Sequence, residues 1–144
     1  MGQINIGRVI GAGLLAGLVM NISQFLIHGV VLQAEGAQLA SEWQRLGLPV
    51  SQDPKMLGIL VGITFVLGIL AVWTYAAIRP RFGPGPRTAI IAGVAVWAMS
   101  YFYAGVYVFA GVQVLPMKLT WSPVLWSLIE VPVATMVGGW MYKE

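Results

Sequence analysis

The chain has 144 residues, enough for one small domain. Its composition rules out an ordinary soluble protein, because 58% of residues are apolar and only 9% are charged, against about 25% charged in a typical globular domain. The net charge of +3 is spread over the loops without a basic stripe, which argues against nucleic acid as a partner; the absence of cysteine removes disulfides, thiolate metal sites and cysteine nucleophiles together.

Four mostly apolar runs follow one another with short breaks, over residues 4–31, 54–78, 88–112 and 123–142. A helix needs about 20 such residues to cross the hydrocarbon, whereas barrel strands would alternate over ~10 residues. These runs do not alternate. The expected fold is therefore all-α, a single integral membrane domain over 1–144. It is a four-transmembrane-helix bundle with a short amphipathic interfacial helix between helices 1 and 2.

In the first run Gly13, Gly17, Asn21, Gln24 and His28 recur at helical spacing and share one face. Gly7 with Gly11 and Gly13 with Gly17 give two pairs of small residues that let helix backbones approach closely in lipid. Packing inside the bundle and homo-oligomer formation are the two uses of such pairs. A cleaved signal peptide is the rival reading of this run, given Arg8 and the later Ala34-Glu35-Gly36. The run is longer than a usual signal core and contains Asn21 and Gln24, so a retained span is expected.

The loop over 32–53 is the longest and most acidic, with Glu35, Glu42 and Asp53. Leu39, Trp43 and Leu46 sit at helical spacing within it, with Glu42 and Arg45 off that face. This pattern predicts a short helix lying at the membrane surface with Trp43 at headgroup level, ended by Gly47 and Pro49. Asp53-Pro54 then opens the second helix as N-cap and first helical residue. Gly58 and Gly62 are a further candidate close-packing pair, and Trp73 and Tyr75 mark the far interface. The linker from Arg79 to Arg87 holds three prolines and two glycines, which stop the helix. Its arginines are the densest positive charge in the chain and suit an anionic leaflet; a phosphate-loop pattern is absent. The third helix is rich in aromatics, from Trp97 through Phe109. Ser122-Pro123 predicts a capped start to the fourth, with Glu130 inside it and Pro132 as a candidate kink.

Arg8, the arginine linker and Lys143 put more positive charge on one side than Arg45, Lys55 and Lys118 put on the other. Both termini are thus expected in the cytoplasm. With that topology and ~1.5 Å per residue, Asn21 falls near the midplane. Gln24 and Glu130 lie slightly outward at the level of Thr64, Ser100 and Tyr103, and His28, Tyr107 and Ser127 nearer the outer surface. The inner half is glycine, alanine and aliphatic packing. A faint internal echo aligns Arg8, Met20, Asn21, Gln24 and His28 with Arg87, Met99, Ser100, Tyr103 and Tyr107, which would fit a duplicated helix pair.

The candidate polar cluster or ligand site is therefore Asn21, Gln24, His28, Ser100, Tyr103, Tyr107, Ser127 and Glu130. A carboxyl group at this depth is costly and faces the bundle interior or a cavity. With no cation at its level, its expected partners are Gln24, Asn21 or a tyrosine hydroxyl. It serves as interhelical hydrogen-bonding glue, as a ligand or proton-handling group, or as a contact to another subunit. The lone His28 is a packing residue, a single axial ligand to a haem or chlorophyll, or a base beside Tyr107. No catalytic constellation stands out, and one histidine with one glutamate is too few for a metal site.

The segment Trp73-Thr-Tyr-Ala-Ala-Ile-Arg-Pro-Arg-Phe-Gly-Pro-Gly-Pro-Arg-Thr-Ala89, followed by Ala92-Gly93 and Trp97, resembles a family of small four-span bacterial inner-membrane proteins of unknown function. Those proteins also carry a tryptophan-containing loop after the first span. The resemblance implies a bacterial cytoplasmic membrane and adds no catalytic residues. The expected function is that of a non-enzymatic multi-pass protein, standalone or an accessory subunit of a larger membrane complex, binding lipid or a hydrophobic cofactor in its outer half. The alternative is a small transporter or proton-coupled binding protein that uses Glu130 and the polar stripe of helix 1.

Overall fold

A computed structural model of the chain describes residues 4–48, 50, 54–112 and 115–142. Helix α1 (Ile6–Leu26) is capped by Asn5, whose Oδ1 accepts from the Arg8 amide at 3.1 Å, and continues as a π-helical turn over Ile27–Val31. Helix α2 (Gln33–Arg45) follows. Its end is set by Gly47, in the left-handed region at φ 70. The Leu48 amide reaches the Trp43 carbonyl at 2.9 Å and the Gly47 amide that of Gln44 at 3.1 Å. These are the two bonds that close a helix on a glycine C-cap. Helix α3 (Pro54–Phe82) begins at the expected proline; the expected caps Asp53 and Pro49 lie outside the described residues.

Three boundaries differ from the sequence expectation. Helix α3 passes Ile78 and runs through Pro80 to Phe82. The proline removes only its own bond to the Ala76 carbonyl, and the stop is Gly83, at φ 82 with its amide on the Arg79 carbonyl. Helix α4 (Pro86–Trp97) starts at Pro86, a first-turn proline behind Gly85, whose φ of 133 is one that only glycine adopts readily. It leads without a break through a π-helical turn (Ala98–Phe102), α5 (Tyr103–Tyr107) and a second such turn (Val108–Val112). Helix α6 (Met117–Met141) begins before Ser122, with Pro116 as its N-cap and Thr120 bonded back to the Pro116 carbonyl. Ser122 and Pro123 are thus inside the helix and cap nothing.

The four rods formed by α1, α3, α4 with α5, and α6 are each long and apolar enough to cross a membrane. They pack in the cyclic order α1, α3, α4, α6, with α6 the most buried of them. Tyr142 packs edge-on against Tyr75, whose hydroxyl accepts from the linker's Gly85 amide, and α1 runs antiparallel to α3 with Gly13 on Ile69 and Gly17 on Phe65, so the start of α1, the linker and the end of α6 share one end of the bundle, the linker end. The opposite end carries α2, which is tied to the start of α6 by the Glu35–Lys118 ion pair.

Small residues make the linker half tight. A methyl group on Gly17 would lie 2.7 Å from Phe65 on α3, and one on Gly93 would lie 2.5 Å from the Pro132 backbone on α6. Apolar burial supplies no net drive between helices in lipid, so close van der Waals contact of this kind does the holding. The expected pairs do not all serve. Gly13, Gly17 and Gly68 form the α1–α3 crossing, whereas Gly11, Gly58 and Gly62 have open space where a side chain would go. The reason is divergence: residues 54–63 of α3 are all exposed, because α3 leaves the bundle above the crossing.

Candidate functional site

Where α3 diverges, the α2 half of the bundle is held by polar groups instead of glycines. Gln24 is the centre. Its Nε2 donates to Glu130 Oε1 at 2.9 Å and to the Tyr101 hydroxyl at 3.0 Å, joining α1, α6 and the turn after α4. Ser23 stands with Glu130 in the wall of one groove and accepts from Trp126 Nε1 at 2.8 Å. The result is a connected row, Glu130, Gln24 and Tyr101, across the bundle, with the Trp126–Ser23 pair beside its Glu130 end. Glu130 is only 6% exposed. A buried carboxyl group needs such partners, since an unpaired one would cost several kcal/mol, about the price of a lost charged hydrogen bond or more. An amide can present either two hydrogens or a carbonyl oxygen, so Gln24 suits Glu130 in either charge state.

The remaining predicted residues surround this row or leave it. His28 lies beside it: its Nδ1 is 3.1 Å from the Gln24 carbonyl oxygen, and the tautomer that donates there leaves Nε2 as an acceptor. Asn21 turns to the other neighbour, donating to the Gly17 carbonyl at 2.8 Å and the Val61 carbonyl on α3 at 3.5 Å. Ser127 is fully buried but bonds its own helix at the Val124 carbonyl, and Ser100 does the same at Val96. Tyr103 and Tyr107 are 69% and 65% exposed and stand on the outer surface of the bundle, away from Gln24.

The tyrosine that does reach Gln24 has a local cause. Along α4 the inward positions are Ala89, Ala92, Gly93 and Val96. Ordinary helical phase would next bring Ser100 and Tyr103 inward. The π-helical turn over Ala98–Phe102 adds a residue to that turn, so the inward line continues to Tyr101 and Gly105. Ser23, Tyr101 and Trp126 are the members that sequence spacing missed; the serine and tryptophan matched the right level but stood next to more conspicuous neighbours.

Two grooves flank the row. One, of about 360 Å³, lies between α1 and α6 and is lined by Val19, Ile22, Ser23, Leu26, Ile129 and Glu130 among others. Its walls are apolar and its rim residues Ile22 and Ile129 are exposed, so it opens sideways, where lipid would be. The other, of about 450 Å³, lies between the diverging end of α3 and the α4–α5 rod, with Thr64, Ser100 and Tyr101 in its lining. Among the described residues no group of three histidine or carboxylate side chains comes together to hold a metal ion. No family model, curated protein or solved structure matches the chain.

Proposed function

We propose that this chain is a non-enzymatic multi-pass membrane protein, standalone or an accessory subunit of a larger membrane complex, that holds an amphiphile, either a lipid or a hydrophobic cofactor. The setting is a bacterial cytoplasmic membrane with both termini inside and α2 lying along the outer interface. The observation that carries the reading is the Glu130 carboxyl group in the wall of a largely apolar, sideways-opening groove between α1 and α6. Such a groove suits a chain that enters from lipid, with a few placed polar groups to orient its head. Ser23 and Glu130 supply those groups, and Gln24 keeps the carboxyl group in position.

Native mass spectrometry of the gently extracted protein tests this. The wild type is expected to keep a bound small molecule, and Glu130→Gln to lose at least about tenfold in occupancy, the size of one charge-assisted hydrogen bond. Equal occupancy in both, or no adduct in either, sinks the amphiphile reading. A larger partner in the same spectrum identifies the accessory role.

A second reading, a small proton-coupled binding protein or transporter, is favoured by the row Glu130, Gln24, Tyr101, whose ends line the two grooves. In liposomes it requires a pH-driven flux that Glu130→Gln abolishes.

A further inference from the structure

The walls of the groove between α1 and α6 restrict the kind of head it can take. We propose that the amphiphile held there carries a cationic ammonium head, seated against the Glu130 carboxyl group. This rests on the amphiphile reading above and adds the charge of the head.

The first support is a missing counter-charge. Glu130 is the one acidic residue within the four rods. The lysines and arginines of those rods all stand in a first or last turn, whereas Glu130 is in the middle of α6. Lys118, on the same helix, is paired with Glu35. Among the described residues no lysine or arginine pairs with Glu130, although it is 6% exposed. A buried carboxylate without a counter-ion is costly, and an ammonium head would supply one.

The second support is a count of hydrogens. Gln24 Nε2 donates to both oxygens of Glu130, at 2.9 and 3.2 Å, and also to the Tyr101 hydroxyl. An amide nitrogen has two hydrogens, so the carboxyl group shares one of them while the other goes to the tyrosine. A carboxylate has about four lone-pair sites, and most of those on Glu130 are left for another donor.

The third support is what the wall lacks. Trp126 carries the one side-chain N–H in the lining, and it is given to Ser23. Apart from Trp126, Ser23 and Glu130, the lining is aliphatic. A phosphate or carboxylate head would therefore meet a carboxyl group, with a single hydroxyl to receive it. An ammonium meets two acceptors, Glu130 and the Ser23 oxygen, and a tryptophan, the side chain on which a cation rests best. Its apolar tail would leave past the exposed Ile22 and Ile129. The ammonium comes either from the amine head of a lipid or from a free amphiphilic amine.

The test uses the full chain. In neutral-detergent micelles the thermal midpoint is followed on titration with dodecylamine and with dodecanol, which share a chain and differ in the head; the shift reads binding. In vesicles of phosphatidylethanolamine, phosphatidylcholine and phosphatidylglycerol in equal parts, extraction followed by native mass spectrometry reads which lipid stays bound. The wild type is expected to bind dodecylamine about tenfold more tightly than dodecanol, the size of one charge-assisted hydrogen bond, and Glu130→Gln to bind the two equally. Retention of phosphatidylethanolamine over the other two lipids supports the site with lipid as its source, since the quaternary head of phosphatidylcholine has no N–H to give. Preference for dodecylamine without lipid selectivity supports it with a free amine as the source. Glu130→Gln keeps an oxygen for Gln24 to donate to, and the amine-to-alcohol ratio of the wild type stays decisive if that variant does not fold. Equal binding of amine and alcohol by the wild type, with both blocked by Ile22→Trp at the rim, overturns the cationic head and leaves the amphiphile reading standing. Binding of neither overturns both. An amine preference that survives in Glu130→Gln, or retention of phosphatidylglycerol above the other lipids, also overturns the proposal.

Discussion

Gln24 occupies a position where one side chain serves two helices at once, and its removal should show that. Replacing it by leucine leaves the buried Glu130 and the partly buried Tyr101 hydroxyl without their shared partner, a loss of about 1–3 kcal/mol. Tyr101→Phe removes a single interhelical bond, for which about 0.6 kcal/mol is typical in a membrane bundle. The Gln24→Leu protein should therefore unfold at clearly lower denaturant in mixed micelles, and Tyr101→Phe only slightly so. The pair Gln24 and Glu130 should be non-additive in a double-mutant cycle; additivity would mean that the row is no network. This contact was legible from matched depth alone, since Gln24 and Glu130 were placed at one level by counting residues from the helix ends. The tyrosine was not legible. A π-helical turn is set by packing against neighbouring rods, and nothing in Ala98-Met-Ser-Tyr-Phe102 marks the added residue that exchanges Tyr103 for Tyr101.

At the scale of elements, glycine spacing showed which helices can approach, and the structure shows which do. A methyl group on Gly68 would run into the backbone of Gly17 and Gly13, whereas one on Gly62 meets nothing within 4 Å. Gly68→Ala should force α1 and α3 apart and destabilise by about 1–3 kcal/mol. Gly62→Ala should be neutral or stabilising by up to about 1 kcal/mol from helix propensity. Thermal unfolding of the two variants in one detergent compares them, and an equal response would remove the crossing from the account. Identical small-xxx-small spacings thus carried different meanings, because sequence does not report where α3 diverges. Helix ends were legible where a glycine with positive φ closes the chain, as at Gly47. They were less so at Pro80 and Pro123, where one missing bond is tolerated within a packed rod.

Helix α2 adds a condition on pH. Lys118 hydrogen-bonds Glu35 and holds its carboxyl group below the ordinary glutamate value of 4.5, with its own backbone amide as a further cause. A depressed value means that the contribution is fully present above the ordinary value and is lost as pH falls through the lowered one. The link between α2 and α6 should therefore hold at neutral pH and weaken below about pH 4.5. Spin labels at Ser41 and Leu125 should report a broader distance distribution in acid. Glu35→Gln should show that broad distribution already at neutral pH, and no change in either case would assign α2 another anchor.

For the whole molecule, the two ends of the bundle differ in kind, and that difference makes a testable prediction about orientation. The linker end has the glycine crossings, the arginines and a cavity of about 420 Å³; the α2 end has the polar row, the open grooves and the exposed reach of α3 over 54–63. Arginines retained at one end favour that end in the cytoplasm, and anionic lipid there would reinforce it by about 1 kcal/mol per residue near the surface. The absence of cysteine makes this directly measurable. A single cysteine at Gly36, where a side chain meets nothing within 4 Å, should react with a membrane-impermeant maleimide in intact cells. One at Gly83, although equally open in space, carries φ 82, so Arg81 is the better linker position; a cysteine there should react only after the membrane is opened. The reverse pattern would place the arginines outside, and the amphiphile would then enter the Glu130 groove from the inner leaflet.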